Sequence, residues 1–246
     1  MRVIVNGITG KMGQITASLV ESGFASSVFA AGVSPDVAVE EGHRYRSFSS
    51  VKEEADVVVD FSFHAGVKDL LDYCLLHSLP VVVATTGHTQ QELDLITAAS
   101  KHIPVFRSAN MSIGVAVLAD LAKKAASAFP DADIEIVETH HNRKVDVPSG
   151  TALLLADSIK TARPESSYNI GRPENGKRTK QEIGIHSVRL GDVVGIHEIL
   201  ISTGSETITL KHEAHSRTLF AEGALRAASF LIGKGPELYS MKDMIV

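Results

Sequence analysis

The sequence predicts an α/β protein in two parts: a parallel sheet covered by helices on both faces, then an α+β region built on an open, mostly antiparallel sheet. Two observations carry this. In roughly the first half, short apolar runs alternate with helical patterns, the layout of strands buried on both faces. After Phe129-Pro130-Asp131 the pattern changes to long alternating segments separated by glycine-containing turns. With 246 residues, 44% of them hydrophobic, the chain can bury a substantial core in one large domain or two modest ones, and we expect two.

In the first part the apolar runs are 3–5, 28–33, 57–61, 81–84 and 105–106, and helices are expected at 11–22, 65–77, 90–102 and 113–129. Residues 34–54 are polar and irregular, and no element is assigned there. In the second part, strands are expected at 133–139, 183–190, 193–203 and 206–214, with Gly191-Asp192 and Gly204-Ser205 as hairpin turns. Within the first of these, Ile134 and Ile136 read as the buried residues and Glu135 and Glu138 as outward-facing. A helix follows Gly150, residues 163–182 read as a long polar loop, and 218–232 reads as a last helix stopped by Gly233.

The formal net charge of -5 argues against a nucleic-acid surface, and no run of like charges suggests a tail. Cys74, alone of its kind, lies in a helical pattern, makes no internal disulfide, and is expected to pack. The chain enters a strand directly, without a signal-peptide layout, and no apolar run approaches the ~20 residues of a membrane span. A cytoplasmic protein without membrane partners is expected.

Two motifs carry chemistry. Gly7-Ile8-Thr9-Gly10-Lys11-Met12-Gly13 joins the first strand to the first helix. Glycines there let the backbone turn tightly and approach a pyrophosphate at the helix N-terminus, which suggests a dinucleotide site in a Rossmann-like sheet; a simple tight turn is the competing reading. The ends of later strands, Asp60-Phe61-Ser62 and Ala84-Thr85-Thr86-Gly87, border the same crevice with small hydroxylated residues, although ordinary turn chemistry would also place them there.

The second motif is Glu138-Thr139-His140-His141-Asn142-Arg143-Lys144-Val145-Asp146-Val147-Pro148-Ser149-Gly150-Thr151-Ala152, a strand-to-helix connection. Two imidazoles, a guanidinium and an ammonium occur within five residues, just before a helix start whose N–H groups are free. Such an arrangement is suited to a carboxylate or phosphate. Basic residues in a loop are often merely solvated, but the whole string resembles the signature Glu-x-His-His-x-x-Lys-x-Asp-x-Pro-Ser-Gly-Thr-Ala of the 4-hydroxy-tetrahydrodipicolinate (dihydrodipicolinate) reductase family, and every specified position is filled. Similarity extends over nearly the whole chain, including Ile183-Gly184-Ile185-His186-Ser187-Val188-Arg189 and residues 239–245.

The resemblance implies reduction of 4-hydroxy-tetrahydrodipicolinate to tetrahydrodipicolinate and water with NADPH or NADH, in the diaminopimelate route to lysine. It implies a dinucleotide-binding domain of residues 1–112 and 217–246, a substrate-binding and oligomerisation domain of residues 113–216, and a homotetramer. By similarity His140 and Lys144 are catalytic; His141, Gly150 and Thr151 bind the dicarboxylate substrate; and Gly7, Ile8, Thr9, Gly10, Lys11, Met12, Ala84, Thr85, Thr86, Ser108, Ala109, Asn110 and Met111 contact the cofactor. An N-cap role is the competing explanation around Ser112. The second strand ends at Val33-Ser34 without the acid or base that would choose between NAD and NADP; Lys11 and Asp36 are nearby charges, so use of both is expected with a lean to NADPH. Arg143 falls at a position the signature leaves free.

A metal is not expected. His212 and His215 would face opposite ways on a continued strand, His186 and His197 read as structural residues of the sheet, and no set of three or four convergent ligands stands out among the 11 histidines. Two rival readings are a related two-domain dehydrogenase of another small acidic substrate and a non-catalytic nucleotide sensor.

Overall fold

The computed structural model describes residues 1–245 and separates into two compact units: Met1–Ser112 with the segment from Thr218 onward, and Ile113–Arg217. Val246, the last residue of the expected first domain, lies outside the described residues.

In the first unit, β1 (Arg2–Asn6), β2 (Val28–Val33), β3 (Arg44–Tyr45), β4 (Val57–Asp60), β5 (Val81–Val83), β6 (Pro104–Arg107) and the C-terminal β12 (Glu237–Tyr239) form one sheet in the order β12-β6-β5-β4-β1-β2-β3. Every pairing in it is parallel. β4 and β5 are buried along their whole length, as strands covered on both faces must be. The cover comes from α1 (Lys11–Glu21), α2 (Val67–Leu76), α3 (Gln90–Ala99) and α6 (Thr218–Leu231). Thr89 and Glu92 close a capping box at the start of α3. Cys74 is fully buried among Leu70, Leu71 and Val81, and burial pushes its thiol well above the usual range. The expected strands and helices of this unit are all present within a few residues of their limits; β3 and β12, two and three residues long, were not anticipated.

The chain lays down β2 and β3 on one side of β1 and then β4, β5 and β6 on the other. The reversal lies between β1 and β4, and a ligand crevice in such a sheet opens at the carboxyl ends of those strands.

The second unit holds α4 (Ile113–Ala128), β7 (Asp133–His140), α5 (Gly150–Ala162), β8 (Ser167–Ile170), β9 (Glu182–Arg189), β10 (Gly195–Ser202) and β11 (Thr207–Ala214), with sheet order β11-β10-β7-β9-β8. The sheet is mixed. β10 runs antiparallel to β11 and β7, whereas β9 runs parallel to β7 and β8. Parallel neighbours need a crossover: α5 and β8 lie between β7 and β9, and residues 171–181 connect β8 to β9. Gly204-Ser205 turns a true hairpin, but Gly191-Asp192 does not join neighbours, because β7 lies between β9 and β10. The expected loop of residues 163–182 contains the edge strand β8.

One face of this sheet is packed under α4 and α5, where Leu155 and Ile159 are fully buried and each stabilises by about 1.5–3 kcal/mol relative to exposure. On that face the side chains line up in cross-strand rows. Ile183, Ile134, Ile201 and Ile208 make one row; Ile185, Ile136, Ile199 and Leu210 make the next. The third row is polar: Ser187, Glu138, His197 and His212. Beyond it His140 stands beside Arg189. Glu138 therefore points inward, contrary to the sequence expectation; its position two residues after Ile136 puts it on the covered face, where it is fully buried.

Candidate active site

In the second unit, the polar rows place their side chains around the junction of β7 and α5. Glu138 is an acceptor four times over. Its Oε2 receives hydrogen bonds from His140 Nδ1 at 2.5 Å and Arg189 Nη1 at 3.0 Å, and its Oε1 from Arg189 Nη2 at 2.9 Å and the Ser149 amide at 3.2 Å. Burial opposes ionisation, but hydrogen bonds from His140 and Arg189 outweigh it and hold this carboxyl at about 2. A buried carboxylate is tolerable only when paired and hydrogen-bonded in this way.

His140 is buried at the end of β7, its ring meeting that of His197 edge-on at 5.1 Å. His197 is buried too, and desolvation, then the nearby His140, lower its pKa to about 3, so it is neutral near pH 7. Its Nε2 lies 3.2 Å from Ser149 Oγ. That hydroxyl caps α5 by accepting from the Ala152 amide. His197 is thus a structural residue of the sheet, as expected, and it also braces the helix start.

After β7 the chain turns, with the Lys144 amide donating to the His141 carbonyl at 3.1 Å. Lys144 pairs with Asp146 at 2.8 Å, and Arg189 Nη2 donates to the Asp146 carbonyl at 2.7 Å. His141 is half-buried, with Arg217 Nη2 3.3 Å from its Nε2. Desolvation, followed by the charges of Arg143 and Arg217, lowers the His141 pKa. Gly150 and Thr151 form the first turn of α5. The expected catalytic residues His140 and Lys144 and the expected substrate residues His141, Gly150 and Thr151 therefore lie along one stretch, from the end of β7 to the first turn of α5. Arg143 is exposed and bound to Asp192. Arg189, Arg217 and the inward role of Glu138 are not marked as site features by the sequence, and His197 is read there only as structural; polar residues continuing the inward alternation, Ser187 and Arg189 after Ile185 and His197 before Ile199, are the signal that points to Arg189 and His197.

In the first unit, the expected cofactor residues gather at the carboxyl ends of the parallel strands. Gly7 has φ +82, and a Cβ there would lie 2.3 Å from the Phe61 carbonyl oxygen; one at Gly13 would lie 2.0 Å from the Gly7 oxygen. Loop and helix pack this closely only because both residues are glycine. Gly10 starts α1 without a side chain to cap it, and the Gln14 amide takes the Gly10 carbonyl at 2.9 Å, so the amides of Lys11, Met12 and Gly13 lie at an open helix start. This cradle fits a pyrophosphate. Thr9 Oγ1 is bonded to Ser34 Oγ at 2.7 Å, Ile8 is buried, and Lys11 is exposed.

Asp60, buried at the end of β4, receives Asn6 Nδ2 at 2.8 Å and Ser62 Oγ at 2.6 Å, while Thr85 Oγ1 accepts from the Ser62 amide at 2.9 Å. Desolvation raises the Asp60 pKa. Thr85 is thereby committed to tying β5 to β4, whereas Thr86 is exposed and Ala84 buried. In the loop after β6, Ser108 Oγ donates to the Asn110 carbonyl at 2.7 Å, Asn110 Oδ1 accepts from the Ser112 amide at 2.8 Å, Ala109 is exposed, and Met111 is buried. Asn110 thus has a local turn role. No group of three acidic, histidine or cysteine side chains suited to a metal occurs among the described residues, and no helix among them is long and apolar enough to cross a membrane.

Comparison with known proteins covers both units. The family profiles described as "Dihydrodipicolinate reductase, N-terminus" and "Dihydrodipicolinate reductase, C-terminus" match residues 1–111 and 114–245. A 4-hydroxy-tetrahydrodipicolinate reductase of Caldanaerobacter subterraneus subsp. tengcongensis is 46% identical, with 100% of this chain and 98% of that protein covered. One from Clostridium tetani is 44% identical over 100% of this chain and 97% of its own. Among solved structures, a dipicolinate-bound dihydrodipicolinate reductase from Paenisporosarcina sp. TG-14 superposes with a TM-score of 0.83 at 26% identity, covering 100% of this chain and 99% of the other.

Proposed function

This chain belongs to the dihydrodipicolinate reductase family, and on that premise we propose how its residues perform the reaction. It is an oxidoreductase of the diaminopimelate route to lysine, reducing 4-hydroxy-tetrahydrodipicolinate with NADPH or NADH and releasing tetrahydrodipicolinate and water. In net terms water is lost as the hydroxyl together with a hydrogen from the adjacent ring carbon, and one hydride and one proton add to the unsaturated ring that results. When bound, the reduced nicotinamide supplies the hydride. Gly7 to Met12 hold the pyrophosphate at the start of α1, with the strand-end residues Ala84, Thr85, Thr86 and Ser108 to Met111 lining the nicotinamide end.

His140 delivers the proton, and a positioned acid of this kind contributes roughly 10²- to 10⁴-fold. Lys144 donates to the substrate as a second acid and neutralises part of its charge. One carboxylate is held by the Gly150 and Thr151 amides at the start of α5, and His141 contacts the same dicarboxylate. The observation that supports this reading is that His140 and the α5 cap Ser149 share the buried Glu138, with Ser149 also held by His197 and with Lys144 tied to Asp146 in the intervening turn. A dicarboxylate is matched there in charge, and the dipicolinate of the solved relative is a dianion of that class.

The test is an assay in which the preceding aldolase generates the substrate while nucleotide absorbance is followed. Wild-type protein is expected to oxidise both nucleotides, NADPH with the higher efficiency because Lys11 is exposed at the start of α1. An NADH to NADPH efficiency ratio well above one would overturn that preference, and no oxidation of either would overturn the activity. His140→Ala and Lys144→Ala are expected to lower kcat by orders of magnitude with nucleotide affinity nearly unchanged, which a nucleotide sensor would not require. The working form is a cytoplasmic homotetramer whose copies meet through the sheet face opposite α4 and α5; a monomeric mass in solution would refute the assembly.

A further inference from the structure

Glu138 does not touch the substrate in the mechanism above, yet the proton donor and the capped start of α5 both hydrogen-bond to it. Its Oε2 binds the proton donor His140, its Oε1 binds the Ser149 amide at the carboxylate-holding helix, and Arg189 spans both oxygens while also fixing the carbonyl of Asp146, the partner of Lys144. We propose that Glu138 is a positioning residue of the reduction. It locks His140 in the tautomer that carries its proton on Nδ1, so that Nε2 is the atom facing the substrate, and it holds that ring and the start of α5 in one fixed geometry. The proposal rests on the catalytic role given to His140.

The tautomer follows from valence. An ionised carboxylate offers only acceptors, so the nitrogen bonded to it must be the donor. Glu138 is fully buried and receives both Arg189 nitrogens, and a guanidinium in that bidentate arrangement keeps the carboxylate ionised. His140 Nδ1 is therefore the N–H, and the neutral ring presents a bare Nε2 that takes up a proton and passes it on. The His197 ring, edge-on at 5.1 Å, stands beside the imidazole and restricts its rotation. Gly195 keeps the region of Nε2 clear, since a Cβ there would lie 3.0 Å from that nitrogen. Orientation of an acid–base imidazole by a buried carboxylate is a device found on unrelated folds.

Histidine-selective ¹⁵N NMR tests the tautomer in the wild-type protein, at alkaline pH where imidazoles are neutral, with the His140 signals assigned by their loss in His140→Gln. The expected result is a protonated Nδ1 and an unprotonated Nε2; a proton on Nε2 overturns the proposal whatever any variant does. Glu138→Gln can donate as well as accept, so it releases the tautomer while keeping the shape. Its kcat is expected to fall about 10²- to 10⁴-fold with KM changing by less than about tenfold, and Glu138→Asp to recover part of the loss. A Glu138→Gln enzyme within threefold of wild-type kcat would also overturn it. If Glu138→Gln fails to fold, the wild-type NMR still decides. Failure of the wild-type enzyme to oxidise nucleotide on the cyclic substrate is a separate result that removes the catalytic reading and leaves the tautomer measurement intact.

Discussion

Gly13→Ala separates the two effects that an alanine can have at this position. Inside α1 alanine is the better helix former by about 1 kcal/mol, and on propensity alone the variant would be more stable. The added Cβ, however, would lie 2.0 Å from the Gly7 oxygen, 2.6 Å from its carbonyl carbon and 3.0 Å from the Ile8 Cα. These are backbone atoms, so no side chain can swing away. An ordinary C···O approach is about 3.3 Å, so loop and helix must part by about 1.3 Å. Overpacking of this sort costs about 1–3 kcal/mol, which offsets or exceeds the propensity gain. The larger consequence is functional, because a displacement near 1 Å at a positioning element can cost about 100-fold. We expect a Tm unchanged or lowered by several degrees, and an NADPH efficiency reduced about 100-fold with the cyclic substrate saturating. Calorimetric titration with NADPH should show the same weakening. Gly66→Ala, at a position with nothing within 4 Å of the added carbon, is the control and should behave as wild type. If Gly13→Ala were more stable than wild type and bound NADPH within twofold of it, the close-approach argument would be wrong.

The Glu138 carboxyl lies at about 2 against an ordinary 4.5. Its contribution of about 3 kcal/mol is thus fully present above pH 4.5 and disappears as pH falls through 2; urea unfolding from pH 5 downward should lose about that much more for wild type than for Glu138→Gln, and parallel curves would refute it. Ser149→Ala removes the cap of α5 and the partner of His197 Nε2, so it should cost about 1–2 kcal/mol in the same unfolding assay and raise KM for the substrate.

Local pattern and long-range pairing differ in how far the sequence reveals them. The alternation around Ile134 and Ile136, the all-apolar run Val81-Val82-Val83, and the helix from Ile113 were legible because each is set by residues adjacent in sequence. β8 was not, because Ser167-Tyr168-Asn169-Ile170 is a short edge strand within a polar stretch and is fixed by pairing with β9. Nor could alternation reveal that β7 inserts between β9 and β10, which made Gly191-Asp192 look like a hairpin. At the candidate site, the string from Glu138 to Ala152 drew attention as a unit because its strand-to-helix connection is local. The inward turn of Glu138 runs against the sequence expectation because an unpaired carboxylate belongs in water, and the group that permits its burial, Arg189, is 51 positions away in the chain.

The ordered rows across the second sheet bear on how the chain finds its register. A slip of β10 against β7 by one residue would turn its isoleucines outward, and a slip by two would keep them inward but set an aliphatic side chain or the bare Gly195 against Glu138. Either error takes the His197 ring away from His140 and leaves the Ser149 hydroxyl without its imidazole partner. Misaligned strands are thereby penalised during folding through the same buried histidine that later braces the start of α5, and a chain that threads the sheet wrongly is disfavoured before it can persist as a stable, inactive form.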